Sequence, residues 1–550
     1  MAASDASQPG VARSAGVVSA AIAASRITGL VRERVMAHLF GAGAEFDAFI
    51  IGFRIPNLTR DLFAEGALSS AFVPTFTRYL TTRSQEEARE LYRLVSTALM
   101  LIVGTLCLLG MLFTPQLVNL FASPFHQVPG KFELAVSMTR IMFPFLLLVA
   151  LAAQSMGALN ALGRFGVPAV SSSFFNIGSV TLGLLVGRYA MPFLGYRGLI
   201  AMAFGMAWGV VAGGALQLAF QLPSLWRFGF DFLPRIQWRH EGLRNMMRLM
   251  GPALLGNASV QINVLVNSNF ASGILDAAGH VINGPVAWLN CAFRFMQLPL
   301  GLFGVSIASA TLPAISRSAA AHNIAEFRAT LARSIGMVLL LTIPSSAGLI
   351  VLGKSMIAVV YQSGRFKAYD THQTALALGC YAVGLSGYAV LKVLAPAFYA
   401  LNDARTPMLV SLVSILVNLG CSTLMIRYAG LGHAGLALST STVALFGFAV
   451  LFLVMRRRIH GLGEAALLVT FVKICAASAV MSAVCFGIAR EVQHVMGARV
   501  MGDVVTLTLA IPAGAAVFYS ACLALKLEEL QAAQRALAGP LLRRLGVRQK

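Results

Sequence analysis

Apolar runs of about 18 to 25 residues, each long enough to cross a hydrocarbon core of roughly 30 Å, recur about fourteen times along this chain. They lie near 14–40, 46–74, 94–118, 134–160, 167–188, 198–222, 249–271, 281–313, 330–353, 372–400, 408–427, 434–455, 466–489 and 503–525. The first, second and eighth are the least clean, being long and punctuated by charge. In lipid a backbone must satisfy its own hydrogen bonds, so each run predicts a helix. Charged residues make up 11% of the chain against 57% hydrophobic, where soluble domains carry roughly 25% charge. There is too little polar surface to cover a soluble core of this length. The expectation is an all-α polytopic membrane protein.

The net charge of +21 raises nucleic acid as a partner, and its distribution argues against one. With the N-terminus inside, the predicted cytoplasmic loops hold the basic clusters. These include Arg78, Arg83, Arg89 and Arg93, then Arg227, Arg235, Arg239, Arg244 and Arg248, and Arg456-Arg457-Arg458. That is a positive-inside bias, and it places both termini in the cytoplasm. All seven cysteines fall in apolar segments without paired spacing, so neither a disulfide framework nor a metal site is expected. Arg13, a short apolar stretch and Ala21-x-Ala23 faintly resemble a signal peptide. That segment runs straight into Arg26 and a second apolar stretch, which favours a retained membrane helix.

The chain also repeats itself. Phe53-Arg54 and Pro74 recur as Phe293-Arg294 and Pro313, while Asn160 and Phe-Asn176-Ile-Gly178 recur as Asn402 and Val-Asn418-Leu-Gly420. All are offset by about 240 residues, or six spans, so both copies enter the membrane the same way round as a parallel repeat. The predicted organisation is a six-helix bundle over 1–240, a second over 241–460, two extra helices over 461–527 and a basic cytoplasmic tail over 528–550. Gly205, Gly209 and Gly213 form a ridge of small residues, which predicts close helix packing.

Ionisable residues inside spans are costly and mark cavities or partners. They concentrate at Arg26, Arg32, Glu33 and Arg34 on the first span, and at Asp47, Arg54, Arg60, Asp61 and Glu65 on the second. Arg140, Arg294, Lys392 and Lys473 follow. Asp47, Arg54, Asp61 and Glu65 share one helical face and are expected to compensate one another as a supporting charge network. Arg60 points elsewhere, free to address something else. Arg34 and Asp47 lie near a predicted membrane surface, where snorkelling suffices. Arg26, Arg32, Arg60 and Arg294 have too few acids nearby in sequence and predict an anion-binding cavity, because guanidinium forks match phosphate oxygens. Walker A, His-Glu-x-x-His and Gly-x-Ser-x-Gly patterns are absent. No catalytic residue, cofactor or metal is therefore expected.

Several blocks resemble the MurJ (MviN) lipid II flippases. They are Ser25-Arg-Ile-Thr-Gly-Leu-Val-Arg32, Phe40-Gly-Ala-Gly-x-x-x-Asp47, Pro56-Asn-Leu-x-Arg60 and Phe63-Ala-Glu-Gly-Ala-Leu-Ser-x-Ala-Phe-Val-Pro74. Arg294 to Gly304, Gly364-Arg-Phe366 and Phe398 to Pro407 match as well. The resemblance implies a fourteen-helix inner-membrane fold of the multidrug/oligosaccharidyl-lipid/polysaccharide exporter superfamily. It implies transport of lipid II, an undecaprenyl-diphosphate-linked disaccharide-peptide, from the cytoplasmic to the periplasmic leaflet. It assigns Arg26, Arg32, Arg60 and Arg294 to the cavity, gives weight to Asp47 and Glu65, and has the last two helices shape a groove for the lipid tail. Relatives commonly carry Ala-Asp-Arg where this chain reads Ala292-Phe293-Arg294. Some relatives hold a cation with second-half carboxylates, whereas the corresponding spans here offer Asn263, Asn267, Asn418 and Ser422.

The expected mechanism is alternating access, with membrane lipids and cell-wall synthesis proteins as further partners. Two rivals remain on the residues alone. A drug or polysaccharide exporter of the same superfamily is the nearer one, and a non-transporting membrane scaffold for cell-wall enzymes is the other. A cation exporter would want acids in its cavity, and a scaffold would tolerate loss of the arginines.

Overall fold

The computed structural model describes residues 8–61, 68–497 and 499–530. Its elements are helices with short connections. Eleven helical stretches among the described residues are long and apolar enough to cross a membrane. The chain is a multi-span membrane protein. The runs at 14–40, 46–74 and 249–271 fall outside those eleven, and the charged eighth run is within them as Pro285–Ala320. The first two carry the charges noted above. The seventh is diluted by Asn257, Gln261, Asn263, Asn267 and Asn269.

The chain forms two compact units, Met1–Ala287 and Trp288–Lys550. In the first, α1 (Gln8–Phe40) and α2 (Ala44–Arg60) precede α3 (Ser69–Thr82) and α4 (Gln85–Leu112). Next come α5 (Thr114–Ala122), α6 (Lys131–Met142), α7 (Pro144–Ala161) and α8 (Gly166–Leu185). A short α9 (Met191–Phe193), α10 (Gly198–Arg227) and α11 (Glu241–Ser272) complete it. The sequence boundary at 240 places α11 in the second bundle. The structure packs it instead on α3 and α5, where Asn269 Nδ2 donates to the Leu120 carbonyl (3.2 Å) and to Ser123 Oγ (3.3 Å).

Local chemistry sets the helix starts. Ser84 Oγ accepts from the Glu87 N–H at the head of α4, an N-cap that satisfies one orphan donor. The core of this unit is an aromatic cluster of Phe72, Phe76, Tyr92 and Phe230, with Phe230 5.4 Å from Phe76 and 5.5 Å from Tyr92 between ring centroids. Phe230 belongs to the loop after α10. That loop is pinned where Asp231 takes both Nε and Nη2 of Arg93 at 2.7 Å. The Arg93 guanidinium holds the Asp231 carboxyl below the usual carboxylate range.

The small-residue ridge does what its spacing predicts. A Cβ on Gly209 would lie 2.2 Å from the Ser179 carbonyl oxygen, and one on Gly213 would lie 2.6 Å from that of Phe175. Helices α8 and α10 therefore touch backbone to backbone, as small residues permit in lipid.

The second unit begins in α12 (Pro285–Pro299) and continues through α13 (Ser306–Ala320), α14 (Ile324–Tyr361), α15 (Ala368–Ala400), α16 (Arg405–Thr423) and α17 (Gly432–Arg458). The final pair, α18 (Glu464–Met496) and α19 (Val500–Ala524), packs on α14. Phe327, Leu331, Ile335, Phe398, Met455, Ile474 and Cys522 are buried together. Ser355 Oγ donates to Asp503 Oδ1 at 2.7 Å, tying α14 to α19. The internal repeat has a structural signature. Helix α8 passes into a π-helical turn at Val186–Ala190 and α16 into one at Leu424–Tyr428.

Gly209→Ala should reduce the yield of folded protein in the membrane fraction several-fold, because its Cβ meets backbone that cannot rotate away. Gly104→Ala, where a Cβ meets nothing within 4 Å, is the matched control. Quantitative blotting of both variants checks this, and equal abundance would show that the α8–α10 contact tolerates a methyl group.

Candidate functional site

The Ser25–Arg32 motif sorts its residues by neighbour. Thr28 Oγ1 bonds back to the carbonyls of Ala24 and Ser25, each at 3.0 Å. Asn176 Nδ2 on α8 donates to the Ser25 carbonyl at 3.1 Å and to Thr28 Oγ1 at 3.3 Å. A Cβ on Gly29 would be 3.5 Å from Asn176 Nδ2. Ser25, Thr28 and Gly29 thus seat α1 against α8, and Arg26 on the same turn is exposed.

Arg32 lies about 1.7 turns beyond Arg26. Its guanidinium carbon stands 5.6 Å from the Phe53 ring and 5.3 Å from the Phe175 ring. Those rings join Phe145, at 5.7 Å from Phe53 and 5.2 Å from Phe175. One arginine is therefore held by aromatic faces from α2 and α8. Cation–π contact of this kind is worth about 0.5–2 kcal/mol. Arg60 and Asp61 pair with each other, Nη2 to Oδ1 at 2.9 Å, and Asn57 Nδ2 also reaches Asp61 at 3.5 Å. Arg60 is not the unengaged group that its helical angle suggests. Arg54 Nη1 donates to Ser268 Oγ on α11 at 2.8 Å.

Asp47 also corrects an expectation, since it is no snorkelling surface residue. Its exposure is 0% and that of Lys131 is 2%. Lys131 Nζ lies 2.9 Å from Asp47 Oδ2, 2.8 Å from Asn283 Oδ1 and 4.2 Å from the Phe125 ring centroid. The same carboxylate accepts the Gly284 N–H at 2.8 Å and the Ala287 N–H at 2.9 Å. It thereby caps the first turn of α12, the helix that carries Arg294. Gly52 lets α2 approach α6, since its Cβ would be 3.0 Å from Thr139 Oγ1.

On the single face of α2, residues seven apart lie about 10.5 Å apart along the axis. Among the described residues, Asp47 meets Lys131 of α6, Arg54 meets Ser268 of α11 and Asp61 meets Arg60. Glu65 lies outside the described residues. Arg294 is exposed on the second unit. Sequence reading gave no site role to Lys131, Asn283, Asn176 or the three phenylalanines. Phe53, Phe175 and Asn176 carried a signal as positions of the internal repeat, and Lys131 as a lysine just before an apolar run. No group of three metal-ligating side chains occurs among the described residues.

A family model described as lipid II flippase MurJ matches residues 36–504, a span that opens just after the Ser25–Arg32 motif. A probable lipid II flippase MurJ of Vibrio cholerae is 36% identical over 443 residues, 79% of this chain and 81% of that protein. The lipid II flippase MurJ of Burkholderia cenocepacia is 33% identical over 440 residues, 79% and 81% of the two chains. Among solved structures, a lipid II flippase MurJ in an inward closed conformation superposes with a TM-score of 0.71 at 24% identity, covering 92% of this chain and 99% of that one. An inward-facing multidrug resistance MATE family transporter of the MOP superfamily gives 0.61 at 17% identity, covering 82% and 95%. These two likenesses show a shared fold.

The buried pair sets up a stability test. Lys131→Met leaves a buried carboxylate without its cation, which costs about 3–5 kcal/mol. It should lower the unfolding midpoint of purified protein more than Asp47→Asn/Lys131→Met does. A double-mutant cycle reads the coupling, and strictly additive effects would mean that the two side chains do not support each other.

Proposed function

The chain belongs to the MurJ lipid II flippase family, and from that premise we propose that it moves lipid II from the cytoplasmic to the periplasmic leaflet of a bacterial inner membrane. The observation that carries this is the arrangement of arginines. Arg32 lies against the Phe53 and Phe175 rings and Arg60 beside Asp61, and a guanidinium presents five N–H donors in one fixed fork. A diphosphate joined to a sugar-peptide head suits such forks. Arg26 and Arg294 complete the proposed grip, while the lipid tail stays in the bilayer. Asp47, Arg54, Asp61 and Glu65 act as its support. The two six-helix repeats serve as lobes of an alternating-access cycle, and α18 and α19 form the groove for the tail. Both termini lie on the cytoplasmic side.

Arg60→Ala or Arg294→Ala should abolish rescue of a null strain at normal membrane abundance. Asp61→Asn, which keeps the guanidinium and removes the adjacent carboxylate charge, should retain measurable rescue. Full growth with Arg60→Ala would sink the assignment of the cavity. An exporter of cations with the same fold predicts the opposite sensitivity, to acids in place of arginines.

The second-half spans carry amides and hydroxyls where a sodium site would use a carboxylate. Transport is therefore driven by membrane potential, since two negative charges leaving across 100 mV gain about 4.6 kcal/mol. Flipping measured with an ionophore in one arm and sodium withdrawn in the other should fail in the first and persist in the second. The reverse result would overturn the coupling.

A further inference from the structure

The π-helical turns that end α8 and α16 play no part in the site above. Such turns are rare and recur at functional positions. Each places an arginine before a tyrosine, Arg188-Tyr189 in Val186–Ala190 and Arg427-Tyr428 in Leu424–Tyr428. The pairs are separated by about 240 residues, the period of the internal repeat.

Each turn is held from behind by its own unit. A Cβ on Gly205 would lie 2.3 Å from Gly187 Cα, so the first turn rests directly on α10. A Cβ on Gly435 would lie 3.1 Å from the Met425 carbonyl oxygen, so the second rests on the start of α17. The side chains face the other way. Tyr189 is 64% exposed, Tyr428 81% and the neighbouring Phe193 92%. Arg188 and Arg427 are both exposed. Neither the stretch 186–199 nor the stretch 424–434 contains an acidic residue.

A rigid backbone thus presents, twice, a guanidinium beside a phenol at the end of an apolar helix. Tyrosine favours the membrane–water interface, where its ring meets the glycerol region and its hydroxyl meets water. Arginine at that depth meets phosphodiesters, which its fork binds bidentately. We propose that Arg188-Tyr189 and Arg427-Tyr428 are two phospholipid headgroup sites, each taking the phosphodiester of an anionic phospholipid. The absence of acids in both loops makes the charge complementary to that ligand. The adjoining exposed aromatic surface suits its acyl–glycerol boundary. The proposal rests on α8 and α16 being membrane spans and does not depend on what the chain transports.

The test uses the full chain in detergent, offered phosphatidylglycerol or a diacylglycerol with the same acyl chains, with retained adducts counted by native mass spectrometry. Wild type should retain up to two phosphatidylglycerol molecules that Arg188→Gln/Tyr189→Leu/Arg427→Gln/Tyr428→Leu does not. The doubly loaded population should fall about fivefold for each arginine lost. Changing one turn alone should remove one adduct, and Arg188→Lys/Arg427→Lys should give intermediate retention. Diacylglycerol should be retained equally by all variants. An unchanged phosphatidylglycerol distribution overturns the proposal. So does an equal loss on Arg457→Gln, which removes an exposed arginine elsewhere, or a parallel loss of diacylglycerol, which would show that no phosphate is read.

Discussion

Two full charges sit at essentially zero exposure in a chain built to avoid charge. Separately, Asp47 and Lys131 would each cost several kcal/mol to desolvate, and their mutual attraction offsets that only if the remaining donors and acceptors are met. They are met. The carboxylate takes Nζ of Lys131 and two backbone N–H groups, while the ammonium adds Asn283 and the Phe125 ring. The pair fixes α2 to α6 and anchors the first turn of α12. Every other assignment on α2 then follows from its register. Gly52 meets Thr139, Phe53 meets Arg32, and Arg54 meets Ser268.

The arginines of the first two helices meet neighbours of other kinds than this pair. Arg32 lies against the Phe53 and Phe175 rings, an attraction to ring quadrupoles and not to a countercharge. Arg60 meets the carboxylate of its own chain neighbour Asp61. Arg54 meets a serine hydroxyl on α11.

The helical fold was legible because lipid leaves few alternatives: an apolar run of sufficient length is a helix. The close packing at Gly209 was readable for a related reason, since spacing alone brings small residues onto one face. The candidate arginines stood out because bases outnumber acids on these spans, although Glu33 follows Arg32 and Asp61 follows Arg60. What sequence could not supply was the partners. Asp47 and Lys131 are brought together by the loop and the α5–α6 turn between them, and no periodicity encodes that contact. Asp47 meets Lys131 and Arg54 meets Ser268, partners that the shared face of α2 does not name. A shared face says that side chains point alike, and the axial rise decides whether they touch.

The two copies of the repeat have also divided their labour. Asn176 reaches across to α1 and seats the helix bearing Arg26 and Arg32. Its counterpart Asn418 accepts from Ser422 Oγ of its own helix at 3.4 Å and from Ser439 Oγ of α17 at 3.3 Å. The helix that would correspond to α1 is α11, and it packs within the first unit, where Ser268 receives Arg54. Pairing Asn418 with hydroxyls of α16 and α17 keeps a buried amide hydrogen-bonded, as low dielectric requires. The ionisable residues of the spans concentrate in the first copy, where Asn176 seats the helix that bears Arg26 and Arg32.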